Sequence, residues 1–313
     1  MTTSVQGMAG PLPPVDQDRA RISRLASINL DDLFQSFKID HLRYGRGLLR
    51  LLFTIPARRF ARMVLGYDRR VGEQGLAQGA AWILRRMNTS LEVIGAGNVP
   101  ASGPVLLLGN HPGLTDTMAL FSAIPRPDVR AIAAERPFLM ELPHTSRQMI
   151  YVDEQDSGQR MGVLRSAVRH LREGGTLVTF PGGAIDPDPA LVPGAIDRLE
   201  RWSPSVALIA SQVPDTIIVP VMVSGVISAR ALRNPLVKLY KEKADREWAA
   251  ATLQLLIPGY RRVRVKVVFG APVQAGDLAT AGRAGILAQC KAGMAALIRE
   301  HGHPGYRDGS FPG

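Results

Sequence analysis

The sequence predicts an α/β fold in which a mostly parallel central sheet is flanked by helices and preceded by a basic helical N-terminal segment. Seven short apolar runs rich in β-branched residues occur between positions 91 and 269, and runs of this kind indicate strands. Helical patterns separate several of these runs, and alternation of strands with helices favours a parallel sheet. With 313 residues, 46% of them hydrophobic, the chain can bury a large core.

Four regions are predicted along the chain: a tail at 1–16, a helical segment at 17–88, an α/β domain at 89–275, and an amphipathic helix with a tail at 276–313. The first region contains prolines and lacks a basic stretch followed by an apolar run. We therefore expect a disordered tail and no signal peptide there. No apolar run reaches the roughly 20 residues that span a bilayer.

The helical segment at 17–88 is strongly basic, with 14 basic and 6 acidic residues between positions 17 and 86. Apolar clusters alternate there with arginines, and Pro56 is expected to start or kink a helix. An apolar face beside arginines suits the interface of an anionic membrane. The same periodicity fits an amphipathic helix that packs on its own domain equally well, so both interpretations stay open.

Strands are predicted at 91–94, 105–108, 129–133, 149–152, 177–180, 217–223 and 263–269, and helices at 158–172, 190–202 and 280–300. The apolar run at 205–225 is broken by polar residues and proline, and we interpret it as a buried strand rather than a membrane insertion. The single cysteine, Cys290, excludes an intramolecular disulfide and is expected to pack in the core.

The most informative segment is the apolar run at 105–109 together with Asn110 and His111, which follow it directly. Pro112 and Gly113 break the strand pattern, which predicts a turn at the edge of the sheet. Asp116 follows His111 after four intervening residues. Histidine is the side chain best suited to take a proton near neutral pH, and a carboxylate on one ring nitrogen fixes its tautomer. By itself the spacing also fits a purely structural hydrogen bond in a turn.

The flanking blocks favour a catalytic interpretation. Upstream stands Gly-Ala-Gly-Asn-Val-Pro at 95–100. Downstream come a helical block at 164–175, the run Thr-Leu-Val-Thr at 176–179 that leads into Phe-Pro-Gly-Gly at 180–183, and an apolar strand at 217–221. Over roughly residues 89–275 this order resembles the PlsC-like glycerolipid acyltransferase superfamily, which includes lysophosphatidate and glycerol-phosphate acyltransferases. The resemblance implies that His111 is the general base and that Asp116 orients it.

The same resemblance implies an O-acyltransferase that moves a fatty acyl group from acyl-CoA or acyl-carrier protein to a hydroxyl of a lysolipid or other lipid acceptor, in phospholipid biosynthesis. No Gly-x-Ser-x-Gly elbow suggests a serine nucleophile. Backbone amides near Gly113 or near Gly182 and Gly183 are candidate donors to the oxyanion. The predicted substrate-binding residues are Asn110, Gly113, Thr115, Phe180, Pro181, Gly182, Gly183, Arg230 and Arg233.

Two blocks depart from the family pattern. Glu154 stands where the second block normally has an arginine that holds the acceptor's phosphate, and Gly182 stands where the third block normally has a glutamate. Arg160, Arg165, Arg230 or Arg233 could supply a displaced cation, although for Arg160 and Arg165 we favour solvated helix charges.

A phosphate beside Glu154 and Asp186 would be repelled, which predicts an acceptor that is neutral or cationic near its hydroxyl. The alternative is that the acidic residues of both blocks face solvent in loops: Asp153, Glu154, Asp156, Asp186 and Asp188.

The sequence therefore predicts a peripheral membrane enzyme at the cytoplasmic face, with an anionic membrane surface, a lipid acceptor and the acyl carrier as partners. A net charge of +11 would also attract an acidic carrier. Nucleic acid is not expected as a partner, because aromatic residues are only 6% and no recognition motif is present. No metal or cofactor is predicted, since the histidines lack partners at ligand spacing. A non-catalytic lipid-binding protein of the same fold and a thioesterase-like hydrolase remain as alternatives.

Overall fold

The computed structural model describes residues 15–36, 46–113, 115–152, 159–308 and 310–311. Their centre is an eight-stranded sheet with the order β1-β7-β6-β2-β5-β3-β4, in which β8 also pairs with β6. The strands are β1 Ser90–Ile94, β2 Val105–Gly109, β3 Val129–Ala134, β4 Met149–Val152, β5 Thr176–Thr179, β6 Ile217–Ser224, β7 Arg264–Phe269 and β8 Val273–Gln274.

The sheet is mostly parallel, as the sequence predicts. Strands β6, β2, β5, β3 and β4 run parallel to one another. Strands β7 and β8 are antiparallel to β6, and β1 is parallel to β7. Because the carboxyl ends of parallel neighbours meet at one edge, the loops after β2, β5 and β6 lie side by side.

Helices cover both faces of this sheet. They are α1 Val15–Ser36, α2 Arg46–Gln74, α3 Leu76–Arg86, α4 Asp116–Ala123, α5 Pro137–Met140, α6 Pro143–Ser146, α7 Gln159–Arg172, α8 Ala195–Arg198, α9 Ser205–Ser211, α10 Ala229–Leu232, α11 Pro235–Lys238, α12 Lys243–Leu256, α13 Gly282–His301 and α14 Gly305–Asp308.

Strand β2 lies between the two main hydrophobic cores, and all five of its residues are buried. Val105 and Leu107 join the core formed with α1–α4. Leu106 and Leu108 point to the opposite face and join the core formed with α7, α9 and α13, which also contains Cys290. A strand buried on both faces explains the continuous apolar run in the sequence. Burial raises the pKa of the Cys290 thiol to about 12, so its thiol form predominates at neutral pH.

The N-terminal helices are packed into the same core as the sheet. The inner face of α2 buries Ala57, Ala61 and Val64 there. The carboxylate of Asp68, also on α2, accepts hydrogen bonds from the backbone N–H of Thr145 at 2.8 Å and from its hydroxyl at 2.9 Å. These two hydrogen bonds connect the long helix to α6. The inner face of α2 therefore packs on its own domain.

The outer face of α2 is different. Leu51, Leu52 and Ile55 are 69%, 61% and 61% exposed, and the next turns present exposed arginines at positions 58, 59 and 62. Positions 51, 55, 58 and 62 follow helical spacing, so these side chains form one stripe. We call these six residues the α2 stripe. In the part of the chain that the structure describes, no helix is both long enough and apolar enough to cross a membrane.

Several element boundaries differ from the predictions. Helix α1 already begins at Val15, within the predicted tail, while residues 1–14 lie outside the described residues. Pro56 falls inside α2, so no helix begins there. The predicted helix at 190–202 is reduced to α8 and one 3₁₀ turn, because Pro193 and Gly194, with its φ of +96°, interrupt it.

The apolar run at 205–225 contains two elements instead of one buried strand. Its first third forms the helix α9, and only Ile217–Ser224 is a strand. The alanines of Ser-Val-Ala-Leu-Ile-Ala-Ser favour a helix, and burial on nearly all sides removes the polar face by which a helix is recognised in sequence.

Candidate active site

The candidate site lies where the parallel strands β2, β5 and β6 end. His111 is two residues beyond β2, Phe180 directly follows β5, and the turn at 225–227 follows β6. Since β2 pairs with both β5 and β6, these three loops meet at one edge of the sheet. Ligands of open parallel sheets bind at such carboxyl ends.

His111 and Asp116 are brought together as the sequence predicts. The distance from His111 Nδ1 to Asp116 Oδ2 is 2.7 Å. An ionised carboxylate can only accept, so Nδ1 carries the proton and Nε2 is left as the basic nitrogen. The His111 side chain is 31% exposed and that of Asp116 is fully buried. Nε2 makes no hydrogen bond with any described residue, and it can therefore accept a proton from a bound molecule.

Asp116 is held by more than the histidine. Its Oδ2 also accepts from the backbone N–H of Gly113 at 3.0 Å. Its Oδ1 accepts from the backbone N–H of Thr117, and from the Thr117 hydroxyl at 3.0 Å. Four donors around a fully buried carboxylate at the first position of α4 fix both of its oxygens in place.

The charges around the imidazole raise its pKa above the ordinary value of 6.5. Burial lowers the pKa of His111, but the charge of Asp116, its hydrogen bond, and the charge of Asp186 together raise it more. The ring of Phe180 packs against the imidazole with centroids 5.0 Å apart. His111 is therefore held between one aromatic ring and two carboxylates.

Gly183 shapes the turn that presents Phe180. Its φ is +65°, a conformation that suits glycine, and its N–H donates to the Phe180 carbonyl at 3.1 Å. The neighbouring Pro181 carbonyl accepts from the Ser203 N–H at 3.0 Å. The block at 180–183 thus forms a tight turn beside the histidine.

Two predicted substrate contacts are occupied by the protein itself. The Asn110 side chain donates to the Val223 carbonyl at 2.8 Å and accepts from the Val223 N–H at 2.7 Å, so its amide extends the pairing between β2 and β6. The Gly113 N–H, a predicted oxyanion donor, is bound to Asp116. Thr115 is buried, and its hydroxyl has no hydrogen-bond partner among the described residues.

Asp186 and Asp188 do not face solvent, which corrects one sequence interpretation. They are 3% and 0% exposed. Asp186 Oδ1 accepts from Arg198 Nε at 3.1 Å, and Oδ2 accepts from the His111 N–H at 2.8 Å. The idea that Asp186 repels an acceptor phosphate also loses its basis, because Arg198 compensates this charge inside the protein.

Asp188 joins two loops at the edge of the sheet. Its Oδ1 accepts from the N–H groups of Ala190 and Gly225 at 2.9 and 2.8 Å. Its Oδ2 accepts from those of Val226 and Ile227 at 2.7 and 3.0 Å. The sequence gives one partial signal for this role, because aspartates in turns often accept from the N–H group two residues further on, as Asp188 does from Ala190.

The predicted cations lie elsewhere. Arg230 and Arg233 are exposed at α10, and no described contact joins them to His111. Arg160 and Arg165 are exposed on α7, as favoured above. The acidic residues of the second block, Asp153, Glu154 and Asp156, lie outside the described residues. Among the residues that the structure describes, no three His, Cys, Asp or Glu side chains are grouped so as to hold a metal ion.

Comparison with known proteins identifies one family that matches the segment containing the site. Residues 90–224 match the family model described as Acyltransferase, and this segment contains β1–β6 together with His111 and Asp116. Over these residues the chain resembles acyltransferases, as the order of its sequence blocks predicts.

No curated protein matches the chain. Among solved structures, the 1-acyl-sn-glycerophosphate (LPA) acyltransferase PlsC from Thermotoga maritima is similar, with 15% sequence identity and a TM-score of 0.46. That match covers 91% of this chain and 96% of the Thermotoga chain.

Proposed function

We propose that the protein transfers a fatty acyl group from acyl-CoA or acyl-carrier protein to the hydroxyl of a lysolipid, with His111 as general base. The observation that carries this proposal is the paired His111 and Asp116, whose geometry leaves Nε2 free at the edge of the sheet. The pair lies inside the segment that matches the acyltransferase family.

The proposed reaction needs one proton carrier. Nε2 of His111 takes the proton of the acceptor hydroxyl as that oxygen attacks the thioester carbonyl carbon. The tetrahedral intermediate collapses, the carbon–sulfur bond breaks, and the leaving thiolate takes the proton back from His111. Asp116 stabilises the imidazolium between these two steps, and the products are an ester and a free thiol.

The oxyanion of that intermediate needs a hydrogen-bond donor. The N–H groups of Gly113 and Gly183 are already used within the protein. The N–H of Gly182 makes no hydrogen bond with any described residue, and Gly182 is in the turn that carries Phe180 against His111. We assign the Gly182 amide as the oxyanion donor.

The α2 stripe supports a proposal for location. Three exposed apolar side chains followed by three exposed arginines suit a helix that lies in the interface of an anionic membrane. We propose that the enzyme binds the cytoplasmic face of a membrane through this stripe. A soluble acyl carrier would then meet a lipid acceptor at the surface on which both are available.

The proposed reaction is tested with radiolabelled acyl-CoA and acyl-carrier protein. The acceptors are lysophosphatidate, lysophosphatidylcholine, a lyso-aminolipid and a lyso-glycolipid, and His111→Ala is assayed alongside. We expect labelled ester from at least one pair of donor and acceptor, and no ester above background from the variant. The matched control is His301→Ala, which changes a histidine at the end of α13 and should leave the transfer intact.

Other outcomes of the same assay would overturn the proposal. Labelled free fatty acid formed without any acceptor, and lost in His111→Ala, would indicate a thioesterase-like hydrolase. Absence of transfer to every acceptor, with binding to lipid vesicles intact, would indicate a non-catalytic lipid-binding protein. Full transfer by His111→Ala would exclude this histidine as the base.

Membrane binding is expected to fall when the apolar end of the α2 stripe becomes polar. Each apolar side chain contributes on the order of 1 kcal/mol when it enters the interface. Changing Leu51, Leu52 and Ile55 to serine should therefore weaken binding to anionic vesicles by a factor on the order of 100. Vesicle sedimentation measures this partition directly.

The control for the serine variant is Met161→Ser, which removes an apolar side chain that is 55% exposed on α7. This helix packs on the opposite face of the sheet, so vesicle binding should not change. Equal binding by the triple serine variant and the wild type would exclude the α2 stripe as the membrane contact.

A further inference from the structure

Asp186 is attached to the main chain of His111 from both directions. Its Oδ2 accepts from the His111 N–H at 2.8 Å, and its own N–H donates to the His111 carbonyl at 2.9 Å. Arg198 Nε holds the other carboxylate oxygen at 3.1 Å. Since Asp186 is 3% exposed, these three bonds fix the position of a buried carboxylate and, with it, the backbone of the histidine.

The Asp186 carboxylate fills the space beside Gly182. A Cβ atom added at Gly182 would lie 2.8 Å from Asp186 Oδ1 and 3.3 Å from Oδ2, which is too close for any side chain unless Asp186 leaves its place. Position 182 is also the one at which the third sequence block departs from the family pattern, because a glycine replaces the usual glutamate. The Asp186 carboxylate therefore lies next to the position at which the usual glutamate is missing.

We infer that Asp186 is a positioning residue for the acyl-transfer site and that it replaces, from four residues downstream, the carboxylate that position 182 lacks. This inference rests on the proposed function of His111. Asp186 acts through the histidine: it holds the His111 backbone and thereby the direction of the imidazole, and it places a second negative charge near the imidazolium that forms during transfer.

The charges facing His111 make this role measurable. They are the carboxylates of Asp116 and Asp186, with Arg198 compensating the second, while Phe180 covers one side of the ring. The charge of Asp186 adds to that of Asp116 in raising the pKa of His111. Asp186→Asn keeps the size of the side chain and removes its charge. The acidic midpoint of the pH–rate profile should then move to lower pH, because His111 gives up its proton more easily.

The main test compares four variants: Asp186→Gly, Asp186→Asn, Gly182→Glu, and the double variant Gly182→Glu with Asp186→Gly. Residues that orient metal-binding histidines affect activity about 10- to 100-fold, and we expect the same range for Asp186. We expect Asp186→Gly to lower kcat by that factor with little change in KM. Gly182→Glu alone should also lose activity, because the new side chain displaces Asp186. The double variant should recover at least tenfold over Asp186→Gly, since it restores a carboxylate to the vacated space.

The readouts separate this inference from the proposed function. Circular dichroism and urea unfolding verify that each variant is folded, and Asp186→Asn serves as the pH probe even if Asp186→Gly is unstable. A double variant no more active than Asp186→Gly, or an unchanged pH midpoint in Asp186→Asn, would overturn the inference while leaving His111 as base. Transfer that persists in His111→Ala would instead overturn the proposed function itself.

Discussion

Asp116→Asn is expected to lower kcat about 10²- to 10⁴-fold, the range associated with loss of general base catalysis. Four donors converge on Asp116, whereas an asparagine side chain has one acceptor oxygen and one donating NH₂ group. If the NH₂ group turns toward His111, Nδ1 must accept and Nε2 carries the proton, so the base is in the wrong tautomer. If the NH₂ group turns toward Thr117 instead, it faces the backbone N–H of Thr117, and two donors then lie against each other.

The pH dependence provides a second readout for Asp116→Asn. His111 works as a base only when Nε2 is unprotonated, so the wild-type rate should rise with pH, with a midpoint above 6.5 because the folded pKa is raised. Removing the Asp116 charge should shift this midpoint to lower pH. Asp277→Asn makes the same chemical change at an exposed carboxylate and should alter neither rate nor midpoint. A wild-type rate in Asp116→Asn would refute the orienting role.

Asp188→Ala is expected to lower the free energy of unfolding by roughly 3–5 kcal/mol. The change removes the acceptor of four backbone N–H groups at Ala190, Gly225, Val226 and Ile227. Each buried donor left unpaired costs about 1–3 kcal/mol, and water entering the new space satisfies some of them. Since domains of this kind are stable by only about 5–15 kcal/mol, the loss is large.

Urea unfolding measures this effect through the midpoint at constant slope. Asp215→Ala removes an exposed carboxylate near the start of β6 and should change the free energy of unfolding by less than about 0.5 kcal/mol. A loss below about 1 kcal/mol in Asp188→Ala would show that the four hydrogen bonds contribute little to folding.

The sequence predicts the sheet well for a physical reason. Strands such as β2 and β6 are short runs of apolar and β-branched residues bounded by turns, and burial on both faces makes that signal continuous. The His111 and Asp116 pair can also be predicted from the sequence, because a histidine and a carboxylate separated by one turn are held together by local backbone geometry. The strands and this pair depend on residues that are close together in the chain, and the sequence shows these residues directly.

Contacts between segments that are far apart in the chain could not be predicted from the sequence. The bonds of Asp186 to His111 join positions 75 residues apart, and those of Asp188 reach the turn after β6. In the sequence, both acids look like residues of a polar loop. The role of Asn110 could not be predicted for the same reason, since its side chain bonds to a strand more than a hundred residues away in the sequence. Only the strand order β5-β2-β6 brings these partners together.

The four donors around Asp116 also bear on how the site responds when charge moves. In water, a newly formed imidazolium is stabilised only after solvent molecules reorient, and that reorientation is part of the activation barrier. Here the counter-charge is already held in place by Gly113 and Thr117 before any proton moves. The environment of His111 is therefore electrostatically preorganised, and little reorganisation energy is required when the proton arrives.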